Sequence, residues 1–275
     1  MRFSRVYLEI TNICNLHCRF CPGTKRQPRF LSPAEFTVLL EKLSGYTDYL
    51  YFHLMGEPLL HPQLPQLLSQ AAEHGYYVNI TSNGTLLSER GETLLNAPSL
   101  HRINLSLQAW DGNGRSFDCN NYVNLCADFA KRAAARGVAV SLRLWNGAAA
   151  DNGAVLSALH AAFPAPWQTA QKNTVLAERI FLETAERFDW PDPQGPERGA
   201  TFCRGLRDHI GVLCDGTVVP CCLDSEGTVA LGNLFRQTPE EILSSPRAAA
   251  MYEGFSRRAP TEALCSRCGY AERFG

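Results

Sequence analysis

The chain has 275 residues, of which 45% are hydrophobic and 19% charged, with a formal net charge of −1. That length buries a full core with room for one medium domain and a small one, and the near-zero charge gives no electrostatic reason to expect nucleic acid as a partner. The longest uncharged run, 152–171, carries His160, Pro164 and Pro166 and makes a poor membrane span, and Met1-Arg2-Phe3-Ser4-Arg5 lacks the apolar core of a signal peptide, so the eleven cysteines are expected in the cytoplasm, reduced and pointing to metal.

An apolar stretch containing Val6, Tyr7, Leu8 and Ile10 predicts a strand over 6–11. Directly after it comes Thr11-Asn12-Ile13-Cys14-Asn15-Leu16-His17-Cys18-Arg19-Phe20-Cys21-Pro22, with three cysteines in the spacing CxxxCxxC. Three thiolates so placed suit three corners of a 4Fe–4S cube. The next cysteine is Cys119, so one iron is left without a protein ligand, as reactive metal sites require. A zinc knuckle that borrows a distant fourth ligand is the competing reading of the spacing alone.

Ser32-Pro33-Ala34-Glu35 combines a capping hydroxyl, a proline at the first helical position and a glutamate three residues on, which starts a helix over Pro33–Leu43. The next strand pattern, 49–54, runs into Met55-Gly56-Glu57-Pro58, which taken alone is a turn with a solvated glutamate. His53 and His61, on either side, read as packing or structural residues. Further strands are expected at 76–82, 101–107, 138–145 and 178–184, and helices at Leu64–His74, Ser88–Leu95, Tyr122–Arg136 and Ala154–Ala162, with Gly45, Gly75 and Gly137 at helix ends. Strands alternating with helices imply an α/β fold with a parallel sheet and right-handed crossovers.

Two polar residues interrupt apolar strands: Ser106 in Ile103-Asn104-Leu105-Ser106-Leu107, and Arg143 in Val140-Ser141-Leu142-Arg143-Leu144. A buried arginine must find a partner, and Glu183 on the last strand is one candidate. Thr81-Ser82-Asn83-Gly84 ends the third strand. Trp190-Pro191-Asp192-Pro193-Gln194-Gly195-Pro196-Glu197-Arg198-Gly199 reads as a linker. Beyond it, 207–221 predicts a hairpin turning at Asp215-Gly216, and a short helix is expected near 238–252. Six cysteines follow the linker: Cys203, Cys214, Cys221, Cys222, Cys265 and Cys268, the last two forming a CxxC loop. Cys119 and Cys126 read as ordinary thiols of the core.

The three-cysteine loop, with Phe20 before its third cysteine, and the Gly56-Glu57-Pro58 segment one strand later resemble the radical S-adenosylmethionine (SAM) family. That family carries Gly-Gly-Glu-Pro at this point, and here Met55 stands in place of the first glycine. The resemblance implies a partial (β/α)6 TIM-like barrel over 1–189, with its chemistry at the carboxyl ends of the strands. It implies that Cys14, Cys18 and Cys21 hold the cluster, that the open iron chelates SAM, and that reductive cleavage releases a 5′-deoxyadenosyl radical that abstracts hydrogen from substrate. Phe20, Gly56 and Glu57 are then on the SAM side, with Arg143 at the SAM carboxylate and Ser106 assisting.

After the linker at 190–199, residues 200–275 resemble the twitch domain, a shortened SPASM domain. That implies an auxiliary 4Fe–4S cluster on Cys203, Cys221, Cys265 and Cys268, with a structural zinc on the same four cysteines as the alternative. Cys222 competes with Cys221 as a ligand. The architecture implies a radical SAM oxidoreductase carrying out a two-electron oxidation of a small molecule or a peptide, with reduced flavodoxin or ferredoxin as electron donor. A peptide- or protein-modifying maturase is one alternative, and a non-catalytic zinc-binding module is another of a different class. A general base should lie at the mouth; Glu183, Glu186, Asp189 and Asp224 are unranked candidates.

Overall fold

The computed structural model describes residues 2–147, 151–170, 173–198 and 202–274. Strand β1 (Arg5–Leu8) leads through the cysteine loop to α1 (Pro33–Leu43). Ser32 and Glu35 form the expected reciprocal cap at the start of that helix. Then come β2 (Tyr49–Phe52), α2 (Leu64–Glu73), β3 (Tyr77–Ser82), α3 (Leu87–Leu95) and β4 (Leu100–Ser106). After them follow α4 (Ala109–Gly112), α5 (Cys119–Ala135), β5 (Ala139–Leu144) and α6 (Gly153–Ala162). A hairpin of β6 (Gln168–Ala170) and β7 (Asn173–Ala177) precedes β8 (Ile180–Thr184). The C-terminal part holds β9 (His209–Val212), β10 (Thr217–Val219), β11 (Gly232–Asn233), α7 (Pro239–Leu243), α8 (Pro246–Ser256) and α9 (Ala263–Ser266).

The sheet order is β11-β10-β9-β1-β2-β3-β4-β5-β8-β7-β6. From β9 through β8 every neighbouring pair is parallel, and antiparallel strands flank this run at both ends. The six expected barrel strands are β1 to β5 and β8, and the α/β partial barrel stands. Alternation along each strand sorts the side chains by face. Val6, Leu8, Leu50, Phe52, Val78, Ile80, Ile103, Leu105, Val140 and Leu142 are fully buried within the core formed with the helices. The other face carries Tyr7, Tyr51, Asn79, Arg102, Asn104, Ser106, Ser141, Arg143 and Glu183, placed side by side in register. A parallel sheet is ordinarily apolar on both faces. A polar inner face belongs to a barrel whose interior receives a ligand.

One expectation is corrected and two features go beyond those predicted. The helix near 238–252 is two helices, because Ser245 caps a new start and Pro246 takes its first position. The β6–β7 hairpin was not expected, since its strands are short and lack an apolar alternation. The predicted C-terminal hairpin is formed by β9 and β10, and it continues the barrel sheet because β9 pairs in parallel with β1, Arg5 opposite His209 and Leu8 opposite Val212. The final linker residue, Gly199, and position 200 lie outside the described residues.

Candidate metal centres and cofactor site

Cys14, Cys18 and Cys21 lie on the loop that leaves the carboxyl end of β1, and none is in a disulfide. Each sulfur receives an N–H donor: Leu16 N to Cys14 Sγ at 3.4 Å, Gly23 N to Cys21 Sγ at 3.4 Å, and Asn113 Nδ2 to Cys18 Sγ at 3.0 Å. Burial pushes all three thiols up, Cys14 to about 11, and these donors pull the other way, toward the thiolate that binds metal. The base of the loop is closed by Asn12, whose Oδ1 accepts from Arg29 N at 2.8 Å while its Nδ2 donates to Gln27 O at 2.9 Å.

Glu9 is the residue at this end of the barrel that sequence reasoning missed. It is fully buried, accepts both Arg26 Nη1 and Nη2 at 2.8 and 2.6 Å, and also accepts Met55 N and Cys214 N, each at 3.3 Å. A buried carboxylate is tolerated when its lone pairs are spent in this way. Arg26 also donates from Nε to Ser225 O at 2.8 Å, so one ion pair fastens the cysteine loop to both β2 and the C-terminal part. The signal available was a charge inside the apolar run Leu8-Glu9-Ile10.

Gly56 has φ +77°, and a Cβ there would lie 2.3 Å from Thr11 O, so the segment after β2 presses directly on the cysteine loop. Glu57 N donates to Ile13 O at 2.8 Å. The Glu57 carboxylate is buried and accepts Leu59 N at 3.0 Å and Asn83 N at 2.7 Å. It is therefore no solvated turn residue: it caps the short 3₁₀ turn Pro58–Leu60 and ties it to the end of β3. Burial pushes its carboxyl above the ordinary range, against the pull of those N–H donors. Asn83 reaches on to Asn15 Oδ1 at 2.9 Å, which brings Thr81-Ser82-Asn83-Gly84 to the same mouth. His61 is structural, with Nε2 2.9 Å from Leu31 O and Nδ1 accepting Gln63 N at 3.1 Å.

Ser106 and Arg143 face one another in register across β4 and β5. Arg143 Nε donates to Glu183 Oε2 at 2.9 Å, and its guanidinium lies 4.5 Å from the centre of the Trp145 ring. Glu183 also accepts Ser141 Oγ at 2.7 Å and has Arg102 at 3.6 Å. The Arg143 bond uses Nε only, so its terminal nitrogens are not spent on it. Burial, reinforced by the positive charge of Arg143, lowers His53 to about 4, which makes it a neutral imidazole at the mouth.

Phe20 borders an open cleft of about 630 Å³ together with Arg19, Asp111, Asn146 and Arg187. A Cβ at Gly112 would lie 2.4 Å from the Phe20 ring, and Trp190 Nε1 donates to Phe20 O at 2.9 Å. Of the candidate bases, Glu183 is ion-paired, Asp189 pairs with Arg198, and Asp224 accepts Thr228 N and Val229 N at 2.8 and 2.7 Å.

Cys203, Cys221, Cys265 and Cys268 line one small cavity, with Pro191 and Asp224 also on its wall. Burial, followed by the negative charge of neighbouring cysteines, holds the Cys221 and Cys265 thiols far above their ordinary range. Four such thiols become thiolates only when a cationic centre compensates them; no three His, Cys, Asp or Glu side chains among the described residues meet as a site for a single metal ion, so four thiols spread around a cavity suit a larger cluster better than one ion. The other two cysteines do not border this cavity. Cys214 is buried with its N–H on Glu9, and the Cys222 thiol, pushed up to about 12 by burial, is hydrogen-bonded to Tyr7 on the barrel side. Residues of the predicted linker dock here: Arg198 N donates to Ser266 O and Arg267 Nε to Gly195 O, both at 2.8 Å.

A profile of the radical SAM superfamily matches residues 8–140, and one of the SPASM iron–sulfur cluster-binding domain matches residues 203–269. The chain carries a radical SAM domain followed by a SPASM iron–sulfur domain. The first match takes in the three-cysteine loop, Gly56, Glu57 and Ser106 and stops short of Arg143, while the second opens at Cys203 and closes just past Cys268. The cofactors of this radical SAM protein are accordingly a 4Fe–4S cluster, SAM and an auxiliary iron–sulfur cluster.

Among curated relatives, GTP 3′,8-cyclase of Chlorobaculum tepidum is 35% identical over 40% of this chain and 36% of its own length. PqqA peptide cyclase of Xanthomonas oryzae pv. oryzae is 29% identical over 67% of this chain and 48% of its own. The chain thus spans half or less of these relatives. Among solved structures, BtrN in complex with AdoMet and 2-DOIA superposes with a TM-score of 0.64 over 98% of this chain and 94% of that one, at 17% identity, a likeness of fold. No helix among the described residues is long and apolar enough to cross a membrane.

Proposed function

We propose that this radical SAM protein oxidises its substrate by two electrons, with Cys14, Cys18 and Cys21 holding the catalytic cluster and Cys203, Cys221, Cys265 and Cys268 holding the auxiliary one. The observation that carries this reading is the pair of thiol sets on a single sheet, three cysteines on a loop after β1 and four around a cavity beside β9. When bound, the cluster and SAM would supply a 5′-deoxyadenosyl radical that takes one hydrogen atom from the substrate; the auxiliary cluster would take up the remaining electron and a base at the mouth the proton. The chain's own work is to hold these partners in register and to keep water out. Gly56 allows backbone contact and Glu57 offers an anionic acceptor for the SAM amino group. The terminal nitrogens of Arg143, with Ser106, receive the carboxylate, and Phe20 faces the adenosine side of its cleft. The polar inner face of the barrel then orients the substrate.

In this reading residues 1–189 form the barrel, 190–199 the connection and 200–275 the auxiliary domain. A reduced flavodoxin or ferredoxin is the electron donor, and two sets of thiols meant for metal suit a reducing compartment, the cytoplasm. The substrate is a small molecule or a peptide. The peptide reading is favoured by the alignment with PqqA peptide cyclase, which spans 191 residues. Anaerobic turnover against candidate peptides and metabolites tests the oxidation: a product lighter by two hydrogens, formed with one deoxyadenosine, is expected, whereas a product of unchanged mass contradicts it.

Glu57→Gln isolates the SAM side. The loss of one charge-assisted hydrogen bond, about 1.5–3 kcal/mol, is expected to weaken SAM binding about ten- to a hundredfold. Because the amide leaves one of the two backbone N–H donors facing an NH₂ group, unfolding stability should also fall by about 1–3 kcal/mol. Calorimetric titration of the oxidised, cluster-loaded protein measures the first effect and denaturant unfolding the second. A drop in stability with unchanged SAM affinity would leave Glu57 as a cap alone.

A further inference from the structure

We infer that Asn113, at the end of α4, is a positioning residue that sets the reduction potential of the catalytic cluster through Cys18. Its amide orientation is fixed by three bonds. Nδ2 donates to Cys18 Sγ at 3.0 Å and to Ala109 O at 2.8 Å, while Oδ1 accepts His17 N at 3.1 Å. Turning the amide over would set oxygen against the Ala109 carbonyl and NH₂ against the His17 N–H, so both Nδ2 protons are committed. The neighbouring Arg19 N donates to Gly112 O at 2.9 Å, so the middle of the cysteine loop is held on α4 at two adjacent points.

The Cys14 and Cys21 sulfurs take their closest N–H donors from the loop backbone, at Leu16 and Gly23, and Asn83 Nδ2 stands 4.0 Å from Cys14 Sγ. The Cys18 donor is a side chain 95 positions away; at 3.0 Å it is the shortest of these contacts, and a side-chain substitution removes it. An N–H bond to a cluster thiolate stabilises the added negative charge of the reduced state and so raises the potential. Asn113 therefore makes the cluster easier to reduce, and it anchors that effect to the segment that follows β4 and Ser106.

The inference rests on Cys14, Cys18 and Cys21 holding the cluster, and the experiment checks that first. Potentiometric titration of the full, anaerobically reconstituted chain is followed by electron paramagnetic resonance, and the catalytic cluster is the signal that changes when SAM is added. Asn113→Leu removes the donor. Asn113→Asp keeps the shape and the His17 bond but places an anionic oxygen against the sulfur. Both variants are expected to keep their iron and to shift the reduction equilibrium at least tenfold toward the oxidised cluster, about 59 mV for one electron, with Asn113→Asp shifted further. A wild-type potential in a cluster-loaded Asn113→Asp variant overturns the inference. If Asn113→Leu alone fails to load, Asn113→Asp decides. If neither loads, Asn113 is scaffolding for the loop and the tuning role is overturned. Absence of any SAM-responsive signal in the wild type overturns the cluster assignment, and this inference with it.

Discussion

Replacing Cys14, Cys18 and Cys21 together by Ala is expected to remove half of about eight irons and to abolish reductive cleavage of SAM. The expected loss is complete because no other thiol stands in reserve on that side. Other cysteines have other surroundings: Cys126 is buried behind Gly84 and Tyr122, Cys214 is buried against Glu9, and Cys119 starts α5 beside Asp118 and Arg115. The fold should survive, since the loop is held by Asn12, Glu9–Arg26 and the Gly56–Thr11 contact rather than by its sulfurs. Iron analysis and chromatography of deoxyadenosine measure both effects. Cleavage that persists in the triple variant would place the catalytic cluster elsewhere.

Replacing Cys265 and Cys268 by Ala is expected to remove the auxiliary cluster and all product formation, while SAM cleavage to deoxyadenosine continues uncoupled. Two thiols cannot hold a cube, and Cys203 and Cys221 would be left on a cavity without its far wall. Cleavage should be reduced rather than untouched, because the two regions are physically joined. Trp190 holds Phe20 O, Pro191 lines the auxiliary cavity, and Arg26 reaches Ser225. Full turnover in this variant would make the second site structural, and a zinc ion on the four cysteines would then be favoured.

Those joints mark where the sequence stopped being legible. The six barrel strands and five of their helices could be read because each carries its own periodicity and caps, and the cysteine loop because its ligands are contiguous. Alternation placed Ser106 and Arg143 on the polar face, and the cost of an unpaired buried charge pointed to Glu183 as a partner; that the two do meet follows from the register of β5 against β8. The parallel pairing of β9 with β1 joins positions about two hundred residues apart, and no local pattern encodes it. Glu9–Arg26 and Asn113–Cys18 are side-chain meetings of the same long-range kind. The division of the C-terminal helix was legible in Ser245-Pro246 and was passed over. Which four of the six C-terminal cysteines share a cavity follows from the hairpin, which turns Cys221 inward and Cys222 toward Tyr7.

The central claim is that one chain holds two cubes of different ligand number, three cysteines on one and four on the other. Mössbauer spectroscopy of the anaerobically reconstituted, isotopically labelled protein tests it most directly, recorded before and after SAM is added. About eight irons in two cubes, with a single iron altered by SAM, is the predicted result; one cube alone, or two cubes in which SAM alters no iron, would contradict it.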